Sequence, residues 1–415
     1  MTMARPDILV ICFDSLSETD LGRYLARLPN FNRLRQTGVT FTNAFACSPE
    51  SGPSCASFFT GLDMAAHGLW TDGVALPGHE VTFPERLTTA GYHTWLVGRR
   101  HLAGVSNWTT EHARPGEYHH FDWAHGPLHR SRQNAYLTWL QEKAPDVHSR
   151  IFPSQANPDD GEIPAWQRAA MAEIADDLSF NGWVGAQVCT RLSEIDDDQP
   201  FLGIAGFVVG DTMGAATEGL CIEVADKRSL EQADAALKVM YQNLMASGRA
   251  ENTVIVLTAA RGSAPDAMMT HAMQDDATHV PLTLCVPGGA AGDIEAIVAT
   301  MDIAPTLFDL AQAVPPQRIQ GVSHLSEDPR GWALIRLRNP NATHQTALRT
   351  DRFKLIATHG ADVGYQLFDM IADPGETTDL ASNQAHQQDL EDMIDFMIDA
   401  RVALEDRTEP RVAMF

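Results

Sequence analysis

Short apolar runs, each ending in a polar turn, alternate with helical segments along most of this chain. Strands are predicted at residues 7–13, 94–97, 200–209, 253–257 and 280–286, and helices at 83–91, 229–247 and 305–311. Alternation of this kind favours a mostly parallel sheet with helices on its faces. The run at 7–13 is apolar at nearly every position, as expected of a strand buried on both sides. The sequence therefore predicts an α/β fold.

The length of 415 residues allows a large core with an additional smaller unit. We expect a main domain over residues 1–325 and a small C-terminal subdomain over residues 326–415. The alternating pattern weakens inside the main domain, so residues 105–180 are predicted to be a variable insertion with loops over the site.

Composition excludes several classes of partner. The formal net charge of -24 argues against a nucleic-acid partner, because phosphate-backbone binding needs clustered Lys and Arg. No run of about 18 apolar residues is present, so no membrane partner is expected. Six scattered cysteines without CxxC pairs indicate reduced thiols. Because the first residues also lack the features of an export signal, a cytoplasmic location is expected.

Polar residues follow three of the predicted strands. They are Asp14 and Ser15 after the first strand, Arg99 and His101 after residues 94–97, and the segment 258–262 after residues 253–257. In open α/β sheets, ligands bind beyond the carboxyl ends of the strands. Each feature also has a simpler interpretation, since aspartates often cap turns and the basic segment can be a solvated loop. The shared location predicts that the three segments meet at one site.

A turn at residues 51–61, Ser-Gly-Pro-Ser-Cys-Ala-Ser-Phe-Phe-Thr-Gly, carries the most specific motif. It resembles the nucleophile turn of the sulfatase family, which reads Cys or Ser, any residue, Pro, Ser and Arg before a helix ending in Thr-Gly. The upstream segment 41–46 resembles the family's Phe-Thr-Asn-Ala-Tyr-Ala and sets the register. The resemblance places Ser51 at the nucleophile and Cys55 at the arginine. On the motif alone, an ordinary Ser/Pro/Gly loop before a helix is an equal alternative.

Further segments resemble sulfatases in the same order and extend the resemblance over most of residues 6 to 385. Residues 98–102 are similar to the family's Gly-Lys-any-His element, which implies that Arg99 contacts a sulfate and His101 assists the nucleophile. Residues 301–309, 348–356 and 367–380 also match. The resemblance implies an alkaline-phosphatase/sulfatase-like sandwich, in which a large mostly parallel sheet is flanked by helices and followed by a small C-terminal α+β subdomain.

The metal site implied by the resemblance is altered. Of the family's four protein ligands only Asp14 is kept, and the other three positions hold Ser15, Ala260 and Arg261. One carboxylate is too few for calcium, which takes roughly six to eight oxygen ligands. Arginine stays protonated in proteins and repels a cation, so Arg261 is expected to take the vacated space and to pair with Asp14.

Two functions follow from the resemblance. The first is a pseudoenzyme on a sulfatase scaffold that binds an anion or a partner and needs no cofactor. The alternative is an active sulfate-ester or phosphate-ester hydrolase with Ser51 as nucleophile, Arg99 and Arg261 stabilising charge, His101 as acid or base and His271 as a further contact. Calcium or another divalent cation, and formylglycine at Ser51, are expected only in this alternative. The expected partners are a small anionic ester or anion, with a homo-oligomer also possible from the sequence.

Overall fold

The computed structural model of the chain describes residues 5–104, 109–153, 165–196, 198–209, 227–263, 272–338, 344–360 and 363–404. Most of the described strands belong to one sheet of eight. They are β1 (Asp7–Ser15), β2 (Val39–Phe45), β3 (His93–Gly98), β4 (His120–Trp123), β5 (Phe201–Phe207), β6 (Thr253–Arg261), β7 (Leu282–Cys285) and β8 (Gly292–Ala299).

The strand order of this sheet is β4-β3-β5-β1-β6-β7-β2-β8. Strand β7 is antiparallel to both of its neighbours, and the other paired strands run parallel. Strand β1 lies at the centre between β5 and β6, and almost all of its residues are buried. The near-continuous apolar run that predicted it therefore reflects coverage of both faces of the sheet.

Helices flank the sheet and confirm the predicted α/β class. None of the described helices combines the length and apolar character that a bilayer crossing requires. The α-helices are α1 (Glu18–Tyr24), α2 (Pro29–Thr37), α3 (Ser51–Thr60), α4 (Met64–His67), α5 (Phe83–Thr89), α6 (Ala135–Lys143), α7 (Pro145–Ile151), α8 (Ala165–Ala172), α9 (Phe180–Ser193), α10 (Lys227–Ala246), α11 (Asp275–Thr278), α12 (Ile303–Leu310) and α13 (Gln387–Ala403). Short 3-10 helices lie at Leu25–Arg27, Asp176–Leu178, Ala250–Asn252, Thr300–Asp302 and Gln384–His386.

A second sheet of four antiparallel strands forms the small C-terminal part. Its order is β12-β11-β10-β9, with β9 (Ala333–Arg338), β10 (His344–Arg349), β11 (Phe353–His359) and β12 (Gly364–Asp369). Helix α13 packs on β11 and contributes Met393 and Met397 to a second apolar core. Lys354 of β11 is fully buried and pairs with Asp275 of α11 at 2.8 Å and with Glu376 at 2.6 Å. This charge cluster ties the small sheet to the segment that follows β6.

The predicted elements are present, with bounds that differ by a few residues. Strands β1 and β6 extend beyond their apolar stretches to Ser15 and Arg261. They do so because Ser15 and Arg261 still pair with each other in the parallel ladder. Strands β2, β4 and β8 were not predicted as strands. The described residues of the segment 105–180 form β4, α6, α7 and α8 in addition to loops.

Candidate active site

The carboxyl ends of β1, β3 and β6 bring three of the predicted site residues to one edge of the sheet. Asp14 lies at the end of β1, Arg99 directly follows β3, and Arg261 is the last residue of β6. Ser15 pairs with Arg261 in the parallel ladder, so the two strands end at the same level. The predicted meeting of these segments is thus a direct result of strand order.

Helix α3 supplies the serine of the motif. Ser51 is its first residue and is only 3% exposed, and the whole helix is buried. The helix ends at Gly61, which adopts the left-handed conformation (φ 67°) that favours glycine. Nε of Arg261 donates a hydrogen bond of 2.9 Å to Oγ of Ser51. The hydroxyl therefore lies between a helix N-terminus, which carries partial positive charge, and a guanidinium.

Asp14 pairs with Arg99 across the strand ends. Nε of Arg99 lies 2.8 Å from Oδ1 of Asp14, and the two side chains are 9% and 1% exposed. The second carboxylate oxygen, Oδ2, is buried and makes no hydrogen bond. The sequence suggested Arg261 as the partner of Asp14; the structure pairs Asp14 with Arg99 and joins Arg261 to Ser51.

Arg99 reaches this position through a turn that requires glycine. Gly98 has φ of 98°, and a Cβ there would lie 2.1 Å from the carbonyl oxygen of Gly206. The next residue, Arg100, is buried and pairs with Glu111 at 2.7 Å and with Glu117 at 2.6 Å. Arg100 therefore fixes the loop, and Arg99 is the arginine of this segment that lies against Asp14.

The side chains at the four implied metal-ligand positions do not fit a hard divalent cation. The Asp14 carboxylate already has a cationic partner, Oγ of Ser15 donates to the carbonyl oxygen of Gly262 at 3.1 Å, and Ala260 has no ligand atom. Arg261 adds a permanent positive charge at the fourth position. Among the residues that the structure describes, no group of three or more His, Cys, Asp or Glu is placed to hold a metal ion.

Cys55 lies in helix α3 one turn after Ser51 and is 5% exposed. Burial raises the pKa of its thiol well above the usual value, and the neighbouring Cys12, Asp14 and Glu111 act in the same direction more strongly than Arg99 opposes them. The thiol is therefore neutral at physiological pH. It cannot supply the charged, forked hydrogen bonds that an arginine would give at this position.

His101 lies at the same pocket, with 8% exposure. Its Nε2 is 3.9 Å from Oδ1 of Asp72, and its Nδ1 is buried without a hydrogen bond. The ring packs edge-on against His125, with centroids 5.4 Å apart. Burial, followed by the charge of Arg99, lowers the pKa of His125 well below its usual value. A neutral His125 thus forms one wall beside His101.

Two acidic residues of the pocket were not predicted. Oδ1 of Asp72 accepts a hydrogen bond of 2.6 Å from the backbone N–H of Gly52. Glu50 directly precedes Ser51. Burial, together with the charge of Asp72, raises the pKa of Glu50 to about 8. Hydrogen bonds from Asp72 N–H and Thr71 and the charge of Arg261 lower this pKa, but by less. For Glu50 the signal was an acidic residue next to the nucleophile position; for Asp72 the sequence holds no comparable signal.

The remaining predicted contact, His271, lies outside the described residues. The structure therefore brings together Asp14, Ser15, Ser51, Arg99, His101, Ala260 and Arg261, through the contacts already given and a hydrogen bond from Ser54 to the carbonyl oxygen of Ala260. Their roles remain predictions.

Two family models match the chain. The model described as "Sulfatase" matches residues 6–161, and the one described as "N-sulphoglucosamine sulphohydrolase, C-terminal" matches residues 269–403. The first includes Asp14, Ser51, Arg99 and His101. The second begins after the last strand of the site and includes the small sheet with helix α13.

Individual relatives extend over nearly the whole chain. An N-acetylglucosamine-6-O-sulfatase of Bacteroides thetaiotaomicron is 23% identical over 91% of this chain and 82% of its own length. An arylsulfatase K of Gallus gallus is 25% identical, with 91% and 79% covered. The structure of a phosphonate monoester hydrolase from Silicibacter pomeroyi superposes with a TM-score of 0.75 at 19% identity, covering 97% of this chain and 96% of that one. These likenesses agree with the predicted fold.

Proposed function

Because the chain belongs to the sulfatase family, we propose that it uses the family's pocket to bind an anionic group, without a divalent cation and without hydrolysing sulfate esters. The observation that carries the proposal is the ion pair between Asp14 and Arg99. It gives the carboxylate at the first metal-ligand position a protein cation as its counter-charge. A buried carboxylate needs such a partner, since a lone buried charge is strongly unfavourable.

The positive charge that supports anion binding comes from three sources. Arg261 lies against Ser51, Arg99 lies at the end of β3, and Ser51 is the first residue of α3, whose N-terminal end carries the partial positive charge of the helix dipole. Guanidinium groups bind oxyanions through paired, charge-assisted hydrogen bonds, and helix N-termini favour negative charge. The ligand class proposed is therefore a small oxyanion or a monoester that carries one.

Loss of hydrolysis is inferred from what this set of residues does not supply. A bound metal stabilises the charge that develops during ester cleavage, and its loss removes several kcal/mol of barrier reduction. The neutral thiol of Cys55 stands where the family has an arginine. Catalytic groups that act as a unit fail together when members are lost, so Ser51 alone is not expected to sustain the family's reaction.

An active hydrolase remains the second candidate, and one contact favours it. Oγ of Ser51 accepts a hydrogen bond from the guanidinium of Arg261, and a guanidinium stabilises a developing negative charge on oxygen. Under this hypothesis Oγ of Ser51 loses its proton to His101 and attacks the sulfur or phosphorus of the ester, and the bond between that atom and the departing alcohol oxygen breaks. If Ser51 were converted to formylglycine, a hydroxyl of the hydrated aldehyde would be the nucleophile instead. Arg99 would then bind the ester oxygens, and His101 would transfer the proton.

The two candidates are separated by four measurements on the purified full chain. These are elemental analysis for Ca, Mg, Mn and Zn, peptide mass spectrometry across Ser51, calorimetric titration with inorganic phosphate and sulfate, and an assay of 4-nitrophenyl sulfate turnover. We expect unmodified Ser51, no stoichiometric metal and measurable anion binding. A stoichiometric metal, formylglycine at Ser51, or turnover of 4-nitrophenyl sulfate that is abolished by Ser51→Ala would instead establish the hydrolase.

The proposed compartment is the cytoplasm. The five described cysteines, Cys12, Cys47, Cys55, Cys189 and Cys285, are free thiols, which suits a reducing environment. Fractionation of the native host with antibodies against the chain tests this, and recovery in an exported fraction would contradict it.

A further inference from the structure

The first turn of helix α3 offers few backbone donors to a ligand. Pro53 has no N–H, and the N–H of Ser54 donates within the helix to the carbonyl oxygen of Glu50. The N–H of Gly52 is one of the remaining donors, and it is bonded to Oδ1 of Asp72 at 2.6 Å. A carboxylate of the chain itself therefore occupies a position that an anionic ligand would take at this helix end.

Gly52 makes this contact possible. A Cβ at residue 52 would lie only 2.8 Å from Oδ1 of Asp72, which is closer than real Cβ atoms approach an oxygen. The lack of a side chain thus lets the carboxylate reach the backbone. Gly52 and Asp72 consequently act as a pair, because changing either one removes the same hydrogen bond.

Asp72 also faces the pocket's histidine. Its Oδ1 lies 3.9 Å from Nε2 of His101, whose side chain is 10% exposed and whose Nδ1 makes no hydrogen bond. The Asp72 side chain itself is 41% exposed, so it is partly hydrated and can move into solvent at low cost. It meets both a helix donor and an imidazole without being locked in place.

We propose that Asp72 is an internal competitor that occupies part of the anion site and sets the affinity of the pocket for oxyanions. This inference rests on the proposed function. A ligand must displace the carboxylate from Gly52 and His101, and the negative charge of Asp72 opposes its entry. Asp72 is thereby an affinity-determining residue, distinct from the arginines that attract the anion.

The test is calorimetric titration of the full chain with inorganic phosphate near pH 6.5. Asp72→Ala removes the competitor, and Gly52→Ala displaces it while leaving the carboxylate in the chain. Both are expected to bind phosphate roughly five- to tenfold more tightly, as expected for one charge-assisted hydrogen bond to a partly exposed group. Circular dichroism establishes that each variant is folded.

Asp373→Ala is the matched control. Asp373 is an exposed carboxylate that accepts backbone N–H groups of Thr377 and Thr378 in the C-terminal part. It should bind phosphate like the unchanged chain. If the unchanged chain binds phosphate and both variants bind it equally or more weakly, the competitor role of Asp72 is wrong and the anion site stands. If none of the three binds phosphate, the proposed anion-binding function itself is wrong.

Discussion

Arg261 and Ser51, 210 residues apart in sequence, form a hydrogen bond of 2.9 Å in the buried pocket. One residue ends a central strand and the other begins a helix, so the contact joins the sheet to the nucleophile turn. By the resemblance to sulfatases, Arg261 takes the position of a metal ligand and Ser51 that of the nucleophile. A protein cation therefore lies against the serine of the motif.

Replacement of Arg261 by Gln keeps a hydrogen-bond donor and removes the charge. We expect phosphate affinity to fall at least about tenfold, because charge-assisted hydrogen bonds are roughly twice as strong as neutral ones. Calorimetric titration measures this. Arg352→Gln, at a 52% exposed arginine of the small sheet, is the matched control. If Arg261→Gln binds phosphate as tightly as the unchanged chain, Arg261 does not take part in phosphate binding.

The Asp14–Arg99 pair predicts a large effect on stability. Asp14→Asn leaves the Arg99 guanidinium without this carboxylate in a buried setting, and the free energy of unfolding is expected to fall by about 3 kcal/mol. Urea denaturation gives the value. The double variant Asp14→Asn/Arg99→Gln should recover part of the loss. If Asp14 were a metal ligand, adding a chelator to the unchanged chain would instead lower its free energy of unfolding.

Glu50 predicts a pH dependence of stability. Its pKa is raised from 4.5 to about 8 by burial and by Asp72, against the opposing effects of Thr71 and Arg261. Between these values the folded chain keeps a proton that the unfolded chain releases, so stability falls as the pH rises from about 4.5 through about 8.

The variant Glu50→Gln mimics the protonated carboxyl and should lack this dependence. It is expected to match the unchanged chain near pH 5 and to exceed it by about 2 kcal/mol near pH 9, given about 1.4 kcal/mol per pKa unit and partial screening. Urea denaturation across this range measures it. Glu142→Gln, at an exposed site of α6, should leave the pH profile unchanged. Parallel profiles for Glu50→Gln and the unchanged chain would contradict the assignment.

The ion pairs of Lys354 predict that this residue holds the small sheet to the segment containing Asp275. Burial, the largest single effect, would raise the pKa of Asp275, but the charges of Lys354, Arg349 and His279 and the hydrogen bond from Lys354 together hold this pKa below its usual value. Lys354→Met would leave Asp275 and Glu376 without their shared partner, and we expect a loss of about 3 to 5 kcal/mol in the free energy of unfolding. Lys227→Met, at an exposed helix pair, should change stability by less than about 0.5 kcal/mol. Similar losses in both variants would contradict the prediction.

The fold was predictable because β1, β5 and β6 are buried on both faces and therefore consist of continuous apolar runs. Edge strand β4 (His-Phe-Asp-Trp) is short and only partly buried, so its pattern carries little signal. Strand β2 has polar Thr42 and Asn43 at positions that remain partly exposed. Periodicity reports burial, and these two strands are incompletely buried.

The site was predictable where a residue follows a strand or lies in the serine motif, as do Asp14, Ser51 and Arg99. Which of them pair was not predictable, since the choice of Arg99 over Arg261 for Asp14 depends on the turn at Gly98. Asp72 belongs to a loop without a regular pattern, and it joins the pocket only through the packing of that loop on α3.

The register of β1 against β6 pairs Ser15 with Arg261 on adjacent strands. Paired positions of a parallel ladder place their side chains on the same face of the sheet. An aspartate introduced at Ser15 alone would meet the guanidinium and form an ion pair, and so would not create a place for a metal. Placing carboxylate ligands for a metal at this end of the sheet would therefore require changes on both strands together, since the charge at residue 261 determines what a carboxylate at residue 15 binds.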